Sequence, residues 1–391
     1  MVYNIQPAKP GEKLKKSDPE NPGKAITDFD ARIFEEITNL EISAEQASRV
    51  ITPTKVFSRQ VLVMAVHWHP EYIPMELIRQ RIENTFPCKK DELIIPTQHN
   101  RLMSYDGKYS GVEVDCYSRG FKRKVQLLLH FKSENLERAD ALKSILEHTF
   151  KYRSSQVFEL MDTLTDPRWD DYLQLAAENT GAGEKVVSFA RIQAGKLRDL
   201  LEQNQPAVNP EIIKNRLVSD YIDGQRALYP DNFINKVQVF VKHVKKIVKN
   251  NFSLTYFYRT SEVIEEARSI GAGIVVPHPE QFWPILLCDY DVDGYEVWNP
   301  QSQEYTEFLV NVISRQNISR RSHKRKLLLF MGDDTHMSEK IKDPTRIEAA
   351  KYYREIGVQP AWEDLSVRRS LIVGDFSREK MIEDYRERLN K

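Results

Sequence analysis

Short, uninterrupted apolar runs that end on a histidine or an acid punctuate this chain, and few architectures accommodate such a pattern. Val61-Leu62-Val63-Met64-Ala65-Val66 runs into His67-Trp68-His69. Gly273-Ile274-Val275-Val276 leads to Pro277-His278-Pro279, and Lys326-Leu327-Leu328-Leu329-Phe330-Met331 leads to Gly332-Asp333-Asp334-Thr335-His336. A run of that length without polar alternation marks a strand buried on both faces. Further strands are expected at 92–96 before His99, at 110–117 holding Glu113, at 124–131 holding His130, and at 294–299.

Between residues 133 and 260 the pattern changes to helical spacing, with apolar stripes at 157–164, 169–178, 186–201, 210–221 and 232–249. The 391 residues are room for two or three domains. The expected organisation is a flexible arm at 1–26, an α/β unit from 27–132 and 261–338 that carries the strand-end histidines, a helical insertion at 133–260, and a helical tail at 339–391.

Lys plus Arg and Asp plus Glu each number 57, so the formal charge is zero, which argues against a nucleic-acid coat or a polybasic membrane binder. Cys88, Cys116 and Cys288 have no C-x-x-C spacing, so neither a disulfide scaffold nor a cysteine zinc site is expected. The arm lacks the apolar segment of a secretory signal, and no apolar run approaches the roughly 18 residues of a membrane span. A reducing, cytoplasmic protein without membrane contact is the expectation.

Three of the nine histidines are unremarkable in context: His148, His243 and His323. The other six, His67, His69, His99, His130, His278 and His336, lie at or just past the ends of expected strands. In a parallel barrel such ends meet on one face, where reactive groups gather. Neutral imidazole and carboxylate suit Zn, Mn and Fe. Residues at i and i+2 of a strand face the same side, so His67 and His69 can grip one ion, and Asp334 and His336 repeat that geometry. Glu113 can bridge two ions, and two ions can clamp both oxygens of a phosphoryl transfer while lowering the pKa of bound water. Taken singly, each residue has an ordinary structural reading; their order along the chain is what carries weight.

That order resembles the PHP family, named for its polymerase and histidinol phosphatase members. The matching stretches are His67-Trp68-His69, Thr97-Gln98-His99, Gly111-Val112-Glu113, His130, His278-Pro279, Gly294-Tyr295-Glu296-Val297-Trp298-Asn299 and Gly332-Asp333-Asp334-Thr335-His336. The resemblance implies a distorted (β/α)7 barrel with a helical insertion and a centre of two or three divalent ions, Mn, Zn or Fe. The ligands it implies are His67, His69, His99, Glu113, His130, His278, Asp334 and His336. It further implies hydrolysis of a small phosphorylated substrate, such as a nucleotide or oligonucleotide, with His67, His69, Glu113, Asp334 and His336 carrying the chemistry.

The chain departs from the family where the first loop shrinks to Pro70-Glu71-Tyr72-Ile73-Pro74, leaving Glu71 as replacement ligand, and where Gln98 replaces an Asp. These departures motivate a second reading, a nucleotide- or partner-binding module without turnover; a metal-dependent amidohydrolase is a third. Within the basic cluster Arg119-Gly120-Phe121-Lys122-Arg123-Lys124, Arg119 and Arg123 are the expected phosphate-binding residues, since guanidinium grips phosphate bidentately. The basic run at 320–326 precedes a strand and is expected at the opposite end.

Overall fold

The apolar run at 61–66 becomes β1 (Leu62–Ala65), and its alternation decides where each side chain goes. Met64 and Val66 enter one hydrophobic cluster while Val63 and Ala65 enter another, so the strand is buried on both faces, as a run without polar residues requires. The computed structural model describes residues 22–205, 207–320, 325–342 and 347–391. Most of the expected arm, and residues 321–324 of the basic run with His323, lie outside the described residues.

The chain divides into two compact units, one of Met1–Glu41 with Lys151–Ser253 and one of Ile42–Phe150 with Leu254–Lys391. The second unit is α/β. In it β1 is followed by β2 (Trp68–His69), β3 (Asp91–Ile94), β4 (Met103–Ser104), β5 (Tyr109–Ser118), β6 (Arg123–Lys132), β7 (Gly273–Val276), β8 (Gly294–Trp298), β9 (Leu328–Met331) and β10 (Thr335–His336). β1 and β3 pair in parallel, as do β2 and β10; the other strands form a mixed sheet in the order β4-β5-β6-β7-β8-β9. These are three separate sheets among the described residues, where a single closed barrel was expected. Between β1 and β9 a side chain stands in for ladder bonds: Gln359 Nε2 donates to Met64 O at 2.7 Å and to Met331 O at 2.5 Å.

β7, β8 and β9 run parallel, but β6 is antiparallel to both β5 and β7. The four residues between β5 and β6 allow only a hairpin, because a parallel return needs a crossover of a dozen residues or more. Lys122 takes a left-handed turn there, with φ 51°.

The region after Met337, expected as a tail, belongs to this unit's core. Val367 and Leu371 of the helix Leu365–Val373, and Met381, Ile382, Tyr385 and Leu389 of the helix Arg378–Leu389, are buried in the same cluster as β5 to β9.

The first unit is helical, built from Asp28–Thr38, Asp170–Thr180, Glu184–Asn204, Arg216–Gly224 and Asp231–Asn251 with the later part of Asp140–Thr165. The helix Asp28–Thr38, expected with the metal-binding unit, is grouped here because Ile33 and Phe34 join this unit's core. A capping box between Thr27 and Asp30 starts that helix. Asp30 is buried and accepts from Lys196 Nζ at 2.8 Å and Tyr221 Oη at 3.0 Å. No helix among the described residues is long and apolar enough to cross a membrane.

Candidate metal centre

The end of β1 delivers His67, and β2 carries His69 two residues on. Trp68 between them turns the other way, into the hydrophobic cluster of Val63, Ile78 and Phe86. β10 pairs with β2 so that His336 stands opposite His69, and their rings stack with centroids 4.3 Å apart. His69 also stacks on His99, with centroids 4.4 Å apart. His99 is placed by a bridge to Glu113 of β5, and Glu113 Oε2 lies 2.8 Å from His99 Nδ1 and 3.5 Å from His69 Nε2.

Asp334 Oδ1 faces three imidazoles, at 3.4 Å from His69 Nε2, 3.4 Å from His336 Nε2 and 3.7 Å from His67 Nε2. His278 Nε2 approaches Glu113 Oε1 at 3.9 Å. Glu71 reaches the same place, with Oε1 3.5 Å from His336 Nδ1.

Two groups of donors each lie within 4.8 Å of one another: His67, His69 and Glu113, and His69, His99 and His336. Donors about 2.1 Å from one ion, at tetrahedral or octahedral angles, stand roughly 3.0–3.4 Å apart, close to the separations above. Both ring nitrogens of buried His69, Oε2 of Glu113 and Nδ1 of His278 have no hydrogen-bond partner among the described residues. A buried polar atom left so costs free energy unless another partner takes it. The donor set therefore fits a divalent cation on geometry and on unmet bonding capacity alike.

A surrounding layer aims the donors. Glu296 on β8 accepts from or shares a proton with His67 Nδ1 at 2.6 Å, leaving Nε2 toward Asp334, the usual arrangement of a carboxylate behind a metal-binding imidazole. Asn299 Nδ2 donates to the other oxygen of Glu296 at 2.9 Å. Arg354 Nη1 and Gln301 Nε2 hold Asp334 Oδ2 at 3.0 and 2.6 Å, turning Oδ1 inward. Gln98 Oε1 accepts the backbone N–H of Glu71 at 3.0 Å, and Glu71 Oε2 accepts that of Ser338 at 2.9 Å. Asp333, next to Asp334, instead fastens the loop by accepting from the backbone of Thr335 and Gly357.

Without a cation the charges sort themselves. Burial disfavours a charged His67, but Glu296 outweighs it with help from Asp334 and Glu113 and pushes the ring up to about 10. Burial, then the neighbouring His336 and His99, press His69 down to about 3, so it stays neutral, as a metal ligand must. Burial opposes charge on His336 too, yet Asp334 and Glu71 push it up to about 9. Burial works against the Asp334 carboxylate, but His336, His69 and His67 hold it well below its usual range.

The structure thus brings His67, His69, His99, Glu113, His278, Asp334 and His336 together, and sets three expected residues aside. His130 offers no open nitrogen: Nδ1 meets Tyr385 Oη at 2.6 Å and Nε2 meets Val66 O at 2.9 Å. Because β6 runs antiparallel, His130 lies opposite Gly273 at the start of β7, the end away from His278. Arg119 and Arg123 sit exposed at the tip of the β5–β6 hairpin, where Ser118 pairs with Arg123. That is five residues beyond Glu113, or about 17 Å along the strand. Sequence reasoning assigned no role to Glu296, Gln301 or Arg354. A Gly-x-Glu-x-x-Asn signal marked Glu296 and Asn299, but nothing in the local pattern marked Arg354.

No protein-family model matches the chain, and no curated protein does. Among solved structures, one from Bifidobacterium adolescentis, provisionally described as a metal-dependent phosphoesterase, is similar at 16% identity and a TM-score of 0.41, covering 81% of this chain and 97% of that one.

Proposed function

We propose that this protein is a metal-dependent hydrolase of phosphate esters, built on a distorted (β/α)7 barrel of PHP type. The observation that carries the reading is the convergence of seven histidine and acid side chains, with Glu71, into one cluster in which both ring nitrogens of His69, Oε2 of Glu113 and Nδ1 of His278 have no hydrogen-bond partner among the described residues. The barrel is supported by links between the three sheets. A bridge from His99 to Glu113 ties the segment after β3 to β5, the β2–β10 pair joins the ends of β1 and β9, and Gln359 spans β1 and β9. The cyclic order would be β1-β3-β5-β6-β7-β8-β9.

His69 would hold an ion with His67 and Glu113 or with His99 and His336, since a neutral imidazole offers one lone pair to one ion, and Asp334, His278 and Glu71 stand at the edges with donors for a second. Nitrogen and oxygen donors of this kind suit Mn, Zn or Fe. Bound divalent ions would supply Lewis acidity toward phosphoryl oxygens and a water of lowered pKa. The chain's own contribution is orientation: Glu296 keeps His67 Nε2 inward, Arg354 and Gln301 keep Asp334 Oδ1 inward, and Gln98 fixes the backbone of Glu71. The substrate class is a small phosphorylated compound, a nucleotide or short oligonucleotide included.

The test is to strip the protein with chelator, reload it with Mn, Zn or Fe, measure metal content, and assay a chromogenic phosphomonoester, a nucleoside monophosphate and a dinucleotide beside an amide panel. Bound metal with phosphoester turnover, abolished in His69→Ala, is expected. Absence of bound metal, or no rate above buffer on any phosphoester, would overturn the proposal. Metal binding with tight nucleotide binding and no turnover would favour a binding module instead.

A further inference from the structure

Arg119 and Arg123 are too distant to hold a phosphoryl group at the cluster, yet the site has another guanidinium against it. Arg354 is 9% exposed. Its Nη1 donates to both the backbone O of Asp334 at 2.9 Å and Oδ2 at 3.0 Å, and its Nε donates to Ala350 O at 3.1 Å. Nη2 makes no hydrogen bond among the described residues and is not one of the atoms sealed from solvent without a partner.

The segment that carries Arg354 is fastened from several sides. Lys340 Nζ donates to the carbonyls of Tyr352 and Arg354, Glu355 pairs with Arg81 at 2.7 Å, and Gly357 donates to Asp333 at 2.9 Å. The guanidinium is therefore held in place before any ligand arrives, and little side-chain freedom remains to be lost on binding.

Among the described residues Arg354 makes one carboxylate ion pair, with Asp334, and that carboxylate is shared: Oδ2 also accepts from Gln301 and Oδ1 turns to His67, His69 and His336. The side of Asp334 on which Arg354 and Gln301 lie leads outward, since Gln301 is exposed and His336 is part exposed. A phosphoryl group bound at the donor cluster would keep further oxygens for a guanidinium N–H, and Arg354 stands next to the cluster through its bond to Asp334 Oδ2.

We propose that Arg354 is the anion-binding residue of this site, anchored to Asp334 through Nη1 and presenting Nη2 to a phosphoryl oxygen. The inference rests on reading the cluster as a phosphoester centre, and it names the group that selects phosphate. Arg354 touches substrate in this account and does more than position Asp334.

The experiment compares Mn-loaded wild type with Arg354→Gln and Arg354→Lys. Metal content is measured by elemental analysis, inorganic phosphate affinity by calorimetry and phosphomonoester kinetics by steady-state assay. With Mn supplied well above its dissociation constant for every variant, the expected result is full Mn occupancy in all three proteins, phosphate affinity weakened at least tenfold in Arg354→Gln and to a lesser degree in Arg354→Lys, and a rise in KM larger than the fall in kcat. Equal phosphate affinity in all three proteins overturns the inference. So does loss of Mn in step with phosphate, which would make Arg354 a positioning residue, and so does a wild type that binds Mn but no phosphate. Phosphate binding that depends on Arg354 in a protein without turnover would support this inference while sinking the hydrolase reading. Should Arg354→Gln fail to fold, Arg354→Lys alone carries the test, with at least a threefold loss expected.

Discussion

Gly332→Ala isolates the link between backbone and metal centre, because Gly332 lies at the end of β9 against the carboxylate of Glu296. A Cβ built on Gly332 would stand 2.0 Å from Glu296 Oε2 and 2.4 Å from its Cδ, where ordinary contact begins at 3.4 Å. The carboxylate must therefore retreat by about 1.4 Å, or the backbone of the loop that carries Asp334 must move by as much. Glu296 Oε2 holds His67 Nδ1 at 2.6 Å, and Oε1 takes Asn299 Nδ2 at 2.9 Å, so a retreat of that size breaks the bond to His67. A charge-assisted bond lost in a buried site costs about 1.5–3 kcal/mol, and loss of the group behind a metal-binding imidazole weakens metal affinity roughly 10–100-fold. Competition between the protein and a chromogenic chelator for Mn or Zn measures that affinity. Thermal unfolding of the chelated protein measures the structural cost, expected at about 1–3 kcal/mol for overpacking. Glu296→Gln serves as companion: it keeps the shape and removes the charge, so it should weaken metal binding without the steric cost. If Gly332→Ala binds metal as tightly as wild type, the account of Glu296 as the group that aims His67 is wrong.

His130→Phe should lower stability by about 2–4 kcal/mol, since Tyr385 Oη and Val66 O lose their buried partner, while elemental analysis finds metal content unchanged. Arg119→Ala with Arg123→Ala, at the exposed hairpin tip, should change phosphomonoester kcat/KM less than twofold. In the helical unit, Asp30→Asn should destabilise by about 3–5 kcal/mol at pH 7, because Lys196 is left as an unpaired buried charge. Burial opposes the Asp30 carboxylate, yet the hydrogen bonds from Lys196 and Thr27 lower its pKa overall. A carboxylate lowered in the folded state stabilises fully above its unfolded value near 4 and progressively less as pH falls through the folded one. The gap between wild type and Asp30→Asn in urea unfolding should therefore be flat from pH 7 to about 5 and close below about pH 4. A gap that widens on acidification would refute the assignment.

What the sequence made legible is whatever depends on local spacing. The unbroken apolar run before His67 specified a strand buried on both faces, and the i, i+2 rule put His67 and His69 on one side with Trp68 on the other. Strand direction is not local. His130 follows an apolar run as His67 does, but the hairpin from β5 reverses β6, and His130 meets Tyr385 and the carbonyl of Val66 with its two nitrogens instead of the donor cluster. Arg119 and Arg123 are near Glu113 in number, and a ten-residue strand such as β5 (Tyr109–Ser118) turns that nearness into distance. Arg354 lies in a stretch with ordinary helical composition, and only the packing of residues 347–391 into the core brings it to Asp334. Glu71 could be named as a substitute ligand from the shortened loop, but its hold on Ser338 and the support from Gln98 depend on the fold. The separation into three sheets was also invisible, since the Gln359 side chain that spans β1 and β9 comes from far down the chain.

The centre is held in a conformation that disfavours the metal-free protein, and this gives a further prediction. Glu71, Asn100, His278 and Asp334 take positive φ of 53°, 54°, 29° and 47°; three of them are donors and the fourth follows His99. Such backbone costs about 1–3 kcal/mol per residue, somewhat less for asparagine. His69 adds to that cost, since it is buried and stacked on two imidazoles with neither nitrogen hydrogen-bonded among the described residues. Replacing it by Leu removes an unsatisfied polar group and leaves an apolar side chain of similar size. Chelated His69→Leu should therefore unfold at the same temperature as chelated wild type or higher, in the manner of functional residues that lower stability. Metal should separate the two in the opposite direction: at a thousandfold excess over its dissociation constant, a ligand specific to the folded state adds about 4.1 kcal/mol, and wild type alone should gain it. Calorimetric scans with chelator and with Mn give all four values. A chelated His69→Leu that is less stable than wild type by several kcal/mol would mean that His69 has structural partners in the native protein, and the cluster would then be a packed core of imidazoles with no need of a cation.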